Sequence, residues 1–254
     1  MSGIYNSPRL AAGYAYGRPL VHRSIVQKLE TYPGMRVPVE RALDVGCGAG
    51  LSTAAIAHLA GMVVGLEPVA AMLAHSGVVA PRARFLVGQA ERLPFRDGTF
   101  NLLTAAGALN YTDLRLFLPE AARVLAPGGV LAVYDFSAGR RLRDSDRLDG
   151  WYGTFERRYP SPPGYHLDPR NLAYGSSGLR LEAYEEMEVG VSMTFSSYLR
   201  YAMTETNVEL AISRGAREAE IEDWCRATLE AILVDDPFDV LFDAYIACVR
   251  RSQG

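Results

Sequence analysis

Between Asp44 and Gly50 the chain reads Asp-Val-Gly-Cys-Gly-Ala-Gly, an acid and three alternating glycines set between an apolar run and an Ala-containing segment from Leu51. Glycine lacks a Cβ, so such a turn takes left-handed angles and lets a ligand lie against bare backbone. A helix starting there aims its free N–H groups at whatever occupies the turn. These are the needs of a nucleoside cofactor. A dinucleotide fingerprint places a further glycine three residues after Gly48, where this chain has Leu51. Asp44 would repel a pyrophosphate, whereas it suits the ammonium of an amino-acid moiety. The pattern therefore predicts S-adenosylmethionine (SAM), with Asp44, Gly46, Cys47, Gly48 and Gly50 around it. Cys47 serves as a small residue of the turn and not as a nucleophile.

Further along, Glu67 ends the stretch Val63-Val64-Gly65-Leu66-Glu67-Pro68, 17 residues after Gly50. A carboxylate at that place accepts hydrogen bonds from both hydroxyls of a ribose. Gly88-Gln89-Ala90-Glu91-Arg92-Leu93-Pro94-Phe95 and Leu125-Ala126-Pro127-Gly128-Gly129-Val130-Leu131 follow in order. Taken singly, each is an ordinary turn or strand end; their order and spacing carry the weight. Together they resemble the class I SAM-dependent methyltransferases, in particular the UbiE-like or type 11 branch, over about residues 10–136.

The resemblance implies that Gln89, Ala90 and Glu91 line the adenine, with Gln89 in place of the usual Asp, and that Pro68, Met72, Ala105 and Ala106 complete the cofactor site. Tyr14-Ala15-Tyr16-Gly17-Arg18-Pro19 resembles the strip that folds over the cofactor. Arg18 would then hold the methionine carboxylate and Tyr14 would close that end; otherwise both are surface residues ahead of a helix. S-adenosylhomocysteine (SAH) is the implied product.

Methyl transfer from a sulfonium is an in-line displacement with a good leaving group, so the protein mainly positions, desolvates and sometimes deprotonates. The family often carries a His after the fourth strand. Here the segment is Ala108-Leu109-Asn110-Tyr111, and Asn110 is no base, although it can orient an acceptor or hold a carboxylate. Many of the 14 tyrosines fall after residue 150, and aromatic faces attract a sulfonium. Tyr198, Tyr201, Thr206 and Asn207 are expected to face the acceptor, and His166 is the base candidate. His22, His58 and His75 are set aside as plain helix residues. The implied function is methyl transfer to a small molecule. The alternatives are a SAM-consuming cyclase or lyase acting on the cofactor's own amino-acid moiety, or a non-catalytic SAM-binding protein.

The elements that must position these residues follow from periodicity. Strands are expected near 41–46, 62–67, 83–88, 99–105, 129–136, 180–190 and 240–250. Helices are expected near 19–31, 50–60, 69–77, 114–125, 145–158, 198–214 (one or two) and 217–233. Alternation predicts an α/β fold: a Rossmann-like, mostly parallel, seven-stranded sheet with helices on both faces and a helical cap. One domain is expected over 1–254, with a lid segment at 1–32 and cap insertions at about 137–178 and 194–234. The chain has 254 residues, is 49% hydrophobic and carries a formal net charge of −3. That gives no electrostatic case for nucleic acid. Three cysteines without ligand spacing argue against a metal site or a disulfide framework. Without a leader or a membrane-length apolar run, a cytoplasmic monomer or homodimer is expected.

Overall fold

Ser7 and Pro8 open the first helix of the computed structural model, which describes residues 3–162, 167–235 and 237–252. The Ser7 hydroxyl accepts from the Leu10 N–H at 3.2 Å, and proline occupies the first turn, where its missing donor is harmless. The lid segment therefore contains α1 (Pro8–Gly17), which the sequence reading lacked, as well as α2 (Val21–Val26). The signal was local: a capping serine, then proline, then the buried trio Leu10, Ala11 and Ala15.

Alternation then follows as expected: β1 (Val39–Val45), α3 (Leu51–Ile56), β2 (Ala60–Glu67), α4 (Ser76–Val79), β3 (Arg84–Val87), β4 (Phe100–Ala106), α5 (Leu114–Val124) and β5 (Leu125–Phe136). Strands β1 and β4 are nearly continuous buried runs, as parallel strands covered on both faces must be. After β5 come β6 (Arg141–Leu142), α6 (Arg147–Arg158), β7 (Leu179–Met193), α7 (Phe195–Met203), α8 (Thr206–Ser213), α9 (Glu218–Glu230) and β8 (Phe238–Arg251).

The sheet runs β3-β2-β1-β4-β5-β8, with β7 on the outer edge of β8. The first five strands pair in parallel, and β8 runs antiparallel to both β5 and β7. Eight strands replace the expected seven among the described residues, because the two-residue β6 pairs with Val240 and Leu241 beyond the end of β5. Apolar clusters cover both faces. One gathers α2, α3, α6, α7 and α9 around residues such as Ile25, Ile56, Phe155, Tyr198 and Leu229; the other packs α5 through Phe117 and Ala121. Among the described residues no helix is long and apolar enough to cross a membrane.

Candidate active site

Strand order turns back between β1 and β4, and in open α/β sheets ligands bind beyond the strand ends at such a point. The carboxyl ends of β1, β2, β4 and β5 surround a cavity of about 320 Å³ there, at the lower end of the range for small-molecule sites.

The glycine turn forms its floor. Gly46, Gly48 and Gly50 have φ of 67°, 53° and 95°, angles that L side chains rarely adopt. At Gly46 space forbids a side chain as well, since an added Cβ would lie 2.4 Å from that of Ala108. The N–H groups of Gly46 and Cys47 donate to Leu66 O at 2.8 and 3.1 Å, tying the turn to the tip of β2. Glu67, at that tip, is buried and accepts from the Gly48 N–H at Oε2 and the Val69 N–H at Oε1, each at 3.0 Å. Burial raises its pKa although both N–H groups pull it down. Each oxygen keeps further lone-pair capacity for a ligand. Cys47 lines the cavity, and burial, with Asp44 and Glu67 nearby, keeps its thiol protonated.

Asp44 is placed differently from the sequence reading. It is fully buried and is not among the cavity-lining residues. Its Oδ2 accepts from Ser52 Oγ at 2.6 Å and Thr53 Oγ1 at 2.7 Å, and its Oδ1 from Thr104 Oγ1 at 2.7 Å. Register explains the last bond, because Asp44 and Thr104 are partners across β1 and β4. The acid thus fastens the start of α3 and the tip of β4 to the turn. Three more expected ligand contacts fall outside the lining. Gln89 is exposed, Ala105 is packed in the apolar cluster under α5, and Gly50 acts through its backbone at the start of α3. Pro68, Met72, Ala90, Glu91 and Ala106 do line the cavity, and Glu91 Oε1 accepts from the Asp113 N–H at 2.9 Å, anchoring the loop after β4.

That loop brings Asn110 and Tyr111 to the cavity. Asn110 and Asp135 both line the cavity, and the Asp135 Oδ1 accepts from the Phe136 N–H at 2.8 Å. Burial raises the Asp135 pKa. Sequence reasoning missed Asp135, yet an acid at the end of β5 carries the same signal as Glu67 at the end of β2. It also missed Phe136, Tyr5 and His22, which line the cavity through tertiary placement and have no local motif.

The lid closes the opposite side. Tyr14 and Arg18 line the cavity, and the Arg18 guanidinium lies 4.4 Å from the Tyr14 ring centroid. Arg18 is already engaged: Nη1 pairs with Glu205 Oε1 at 3.0 Å and Nη2 donates to Thr204 O at 3.0 Å. Among the described residues its buried Nε has no hydrogen-bond partner, which leaves one donor for a ligand. Two glycines let α1 press on Thr204; an added Cβ would approach Thr204 Cγ2 to 3.0 Å at Gly13 and 2.8 Å at Gly17.

Of the expected acceptor-facing residues of the later helices, Tyr198, Tyr201 and Asn207 are buried in the core and Thr206 is half-buried. Tyr198 Oη donates to Gly139 O at 2.7 Å, and the Gly139 N–H donates to Tyr201 Oη at 2.9 Å, with both rings fully buried. Asn207 Nδ2 donates to Tyr159 O at 3.0 Å, and neither it nor Thr206 reaches the cavity. The reason is aromatic packing. Trp151 stacks on Phe155 at 4.9 Å and on Trp224 at 6.0 Å, and Tyr198 packs edge-on against Trp151. Helices α6 to α9 thus build a wall on the sheet, and no described residue of theirs lines the cavity. Tyr198→Phe should cost about 1–2 kcal/mol in urea denaturation, because Gly139 O loses its donor in the core, and should leave ligand affinity at the cavity unchanged by calorimetry. His166 lies outside the described residues.

A parallel β3-β2-β1-β4-β5 sheet, an antiparallel β8 between β5 and β7, and a glycine turn at the tip of β1 define the class I methyltransferase fold. The chain matches the family described as "Methyltransferase domain" over residues 43–133. It is 33% identical over 130 residues to an uncharacterized methyltransferase of Synechocystis sp., covering 50% of this chain and 59% of that protein. It is 39% identical over 101 residues to the demethylmenaquinone methyltransferase of Beutenbergia cavernae, covering 39% and 42%. The chain thus spans about half the length of the curated relatives it matches. A solved structure described as a type II methyltransferase from Anaeromyxobacter dehalogenans superposes with a TM-score of 0.69 at 23% identity, covering 93% of this chain and 99% of that one.

Proposed function

We propose that the protein transfers the methyl group of SAM to a small-molecule acceptor and releases SAH. The observation that supports this best is the turn at Gly46–Gly48, whose N–H groups are fixed by Leu66 O and the Glu67 carboxylate against an open cavity. The residues fit the cofactor. Glu67 would take the ribose hydroxyls; Met72, Pro68, Ala90 and Glu91 would flank the base; the Arg18 Nε would meet the amino-acid end. When bound, SAM supplies an electrophilic methyl on a sulfonium.

The protein's part is positioning and proton handling. Glu67 holds its ligand in a fixed orientation because its own carboxylate is pinned by two N–H groups. Asp135 is a half-buried carboxyl that lines the cavity beside Asn110, placed to receive the acceptor's proton. Raising its pKa by burial brings it nearer to the range of an effective base.

Isothermal calorimetry with SAM and SAH tests the reading, with micromolar binding of both as the expected result. Absence of binding of either below about millimolar would end it. Product analysis then separates the chemistries: SAH supports methyl transfer, whereas methylthioadenosine formed without an acceptor would point to reaction of the cofactor's own amino-acid moiety.

A further inference from the structure

His22 stands on α2 and lines the cavity. Its Nδ1 lies 3.2 Å from Tyr134 Oη, and its ring packs edge-on against Phe136 with centroids 5.1 Å apart. Tyr134 is fully buried, and among the described residues His22 is the hydrogen-bond partner of its hydroxyl. A phenol in an apolar core keeps its proton and must donate it to an acceptor. Burial and the neighbouring charges of Asp44 and Asp135 hold the Tyr134 pKa well above its ordinary value, so the hydroxyl does not ionise.

An imidazole nitrogen accepts only when it bears no proton, and the other nitrogen of the neutral ring then carries the hydrogen. We infer that Tyr134 locks His22 in the Nε2–H tautomer, so that His22 offers the methyl acceptor a fixed neutral donor, and that the acceptor accordingly carries a hydrogen-bond-accepting oxygen, a carbonyl or phenolic oxygen, beside the hydroxyl that is methylated. This rests on the methyltransferase reading of the cavity.

The surroundings agree. The charged and titratable groups facing His22 are Arg18 from the lid and Tyr134 from β5. Burial and the Arg18 charge lower its pKa to about 4, so the ring stays neutral through the physiological range and does not compete with Asp135 as base. Donor and base then have separate tasks. The acceptor's hydroxyl oxygen forms the new O–CH3 bond, the C–S bond breaks with its electron pair passing to sulfur, and the hydroxyl proton goes to the Asp135 carboxylate. His22 N–H binds the neighbouring oxygen throughout without exchanging a proton. An acceptor without such an oxygen, a simple benzylic amine for one, would leave the His22 N–H unpaired. Phe136 with Tyr5, Tyr14 and Tyr111 provides aromatic walls that suit a flat ring.

The test uses the full chain with 15N-labelled histidine, with the His22 signals assigned by their loss in His22→Gln. The expected result is the Nε2–H tautomer, unchanged between about pH 5.5 and 8, becoming mixed in Tyr134→Phe. An Nδ1–H tautomer, or titration near the ordinary histidine value of about 6.5, would overturn the inference. The second arm titrates SAH-loaded protein with 2-hydroxyacetophenone and with benzylamine. The ketone should move the His22 Nε2–H signal, and His22→Leu should weaken its binding at least about tenfold while His22→Gln, which keeps an N–H, stays within about threefold. Absence of a shift with the ketone, or a preference for benzylamine, overturns the acceptor class. The tautomer is read without any cofactor, so its failure is distinct from a failure of SAH to bind.

Discussion

Glu67→Ala is expected to lower SAH affinity by about thirty- to a hundredfold, some 2–3 kcal/mol, measured by calorimetry. Two effects combine. The ribose hydroxyls lose a charged acceptor, and the Gly48 and Val69 N–H groups lose the carboxylate that holds the turn in its binding shape. Glu67→Gln separates the two. Its amide has one accepting oxygen and one donating nitrogen, so it satisfies one of the two N–H groups and opposes the other, and its affinity should fall between those of wild type and the alanine variant. Unchanged SAH affinity in Glu67→Ala would remove Glu67 from the ligand site.

Asp44→Ala should act on the fold before it acts on the ligand. Three buried hydroxyls, of Ser52, Thr53 and Thr104, lose their shared acceptor, and leaving buried polar groups unpaired costs about 1–3 kcal/mol each. A loss of about 3–9 kcal/mol is a large part of the total stability of an ordinary domain, and it should appear as a lower urea midpoint or as failure to accumulate folded protein. Asp44→Asn, which keeps one accepting oxygen, should lose less. If Asp44→Ala instead unfolded at the wild-type urea midpoint and failed to bind SAM, the acid would be a ligand contact after all.

These two acids mark how much of the site was legible in the sequence. The glycine turn and Glu67 are defined by neighbours close in the chain, so spacing alone located them at the cavity. Asp44 belongs to the same motif, but its role depends on Thr104, which strand register places beside it from 60 residues away. Ser52 and Thr53, in the first turn of the helix that follows, were a readable hint, since two hydroxyls brought back over a tight turn onto a buried acid are natural partners for it. The parallel sheet was legible because buried strands and amphipathic helices alternate with different periods. The helices between β7 and β8 were legible as helices and not as to which face they bury. Polar atoms at Tyr198, Tyr201 and Asn207 looked like a ligand surface, and they are consumed by Gly139, Tyr159 and Val208. Asp135 was readable as an acid at the end of a strand, whereas His22 needed the fold itself, because strand ends and the lid meet only there.

The contact of Gly13 and Gly17 with the Thr204 methyl has a consequence for how the cavity is roofed. Arg18 sits one residue past that contact and is bonded to Thr204 O and Glu205, so the height of the roof above the strand tips is set by the bulk of one methyl group on the neighbouring helical wall. The N-terminal arm and that wall are therefore tied together, and across the cavity mouth the arm is joined to the loop after β4 by the hydroxyl contact between Tyr5 and Tyr111.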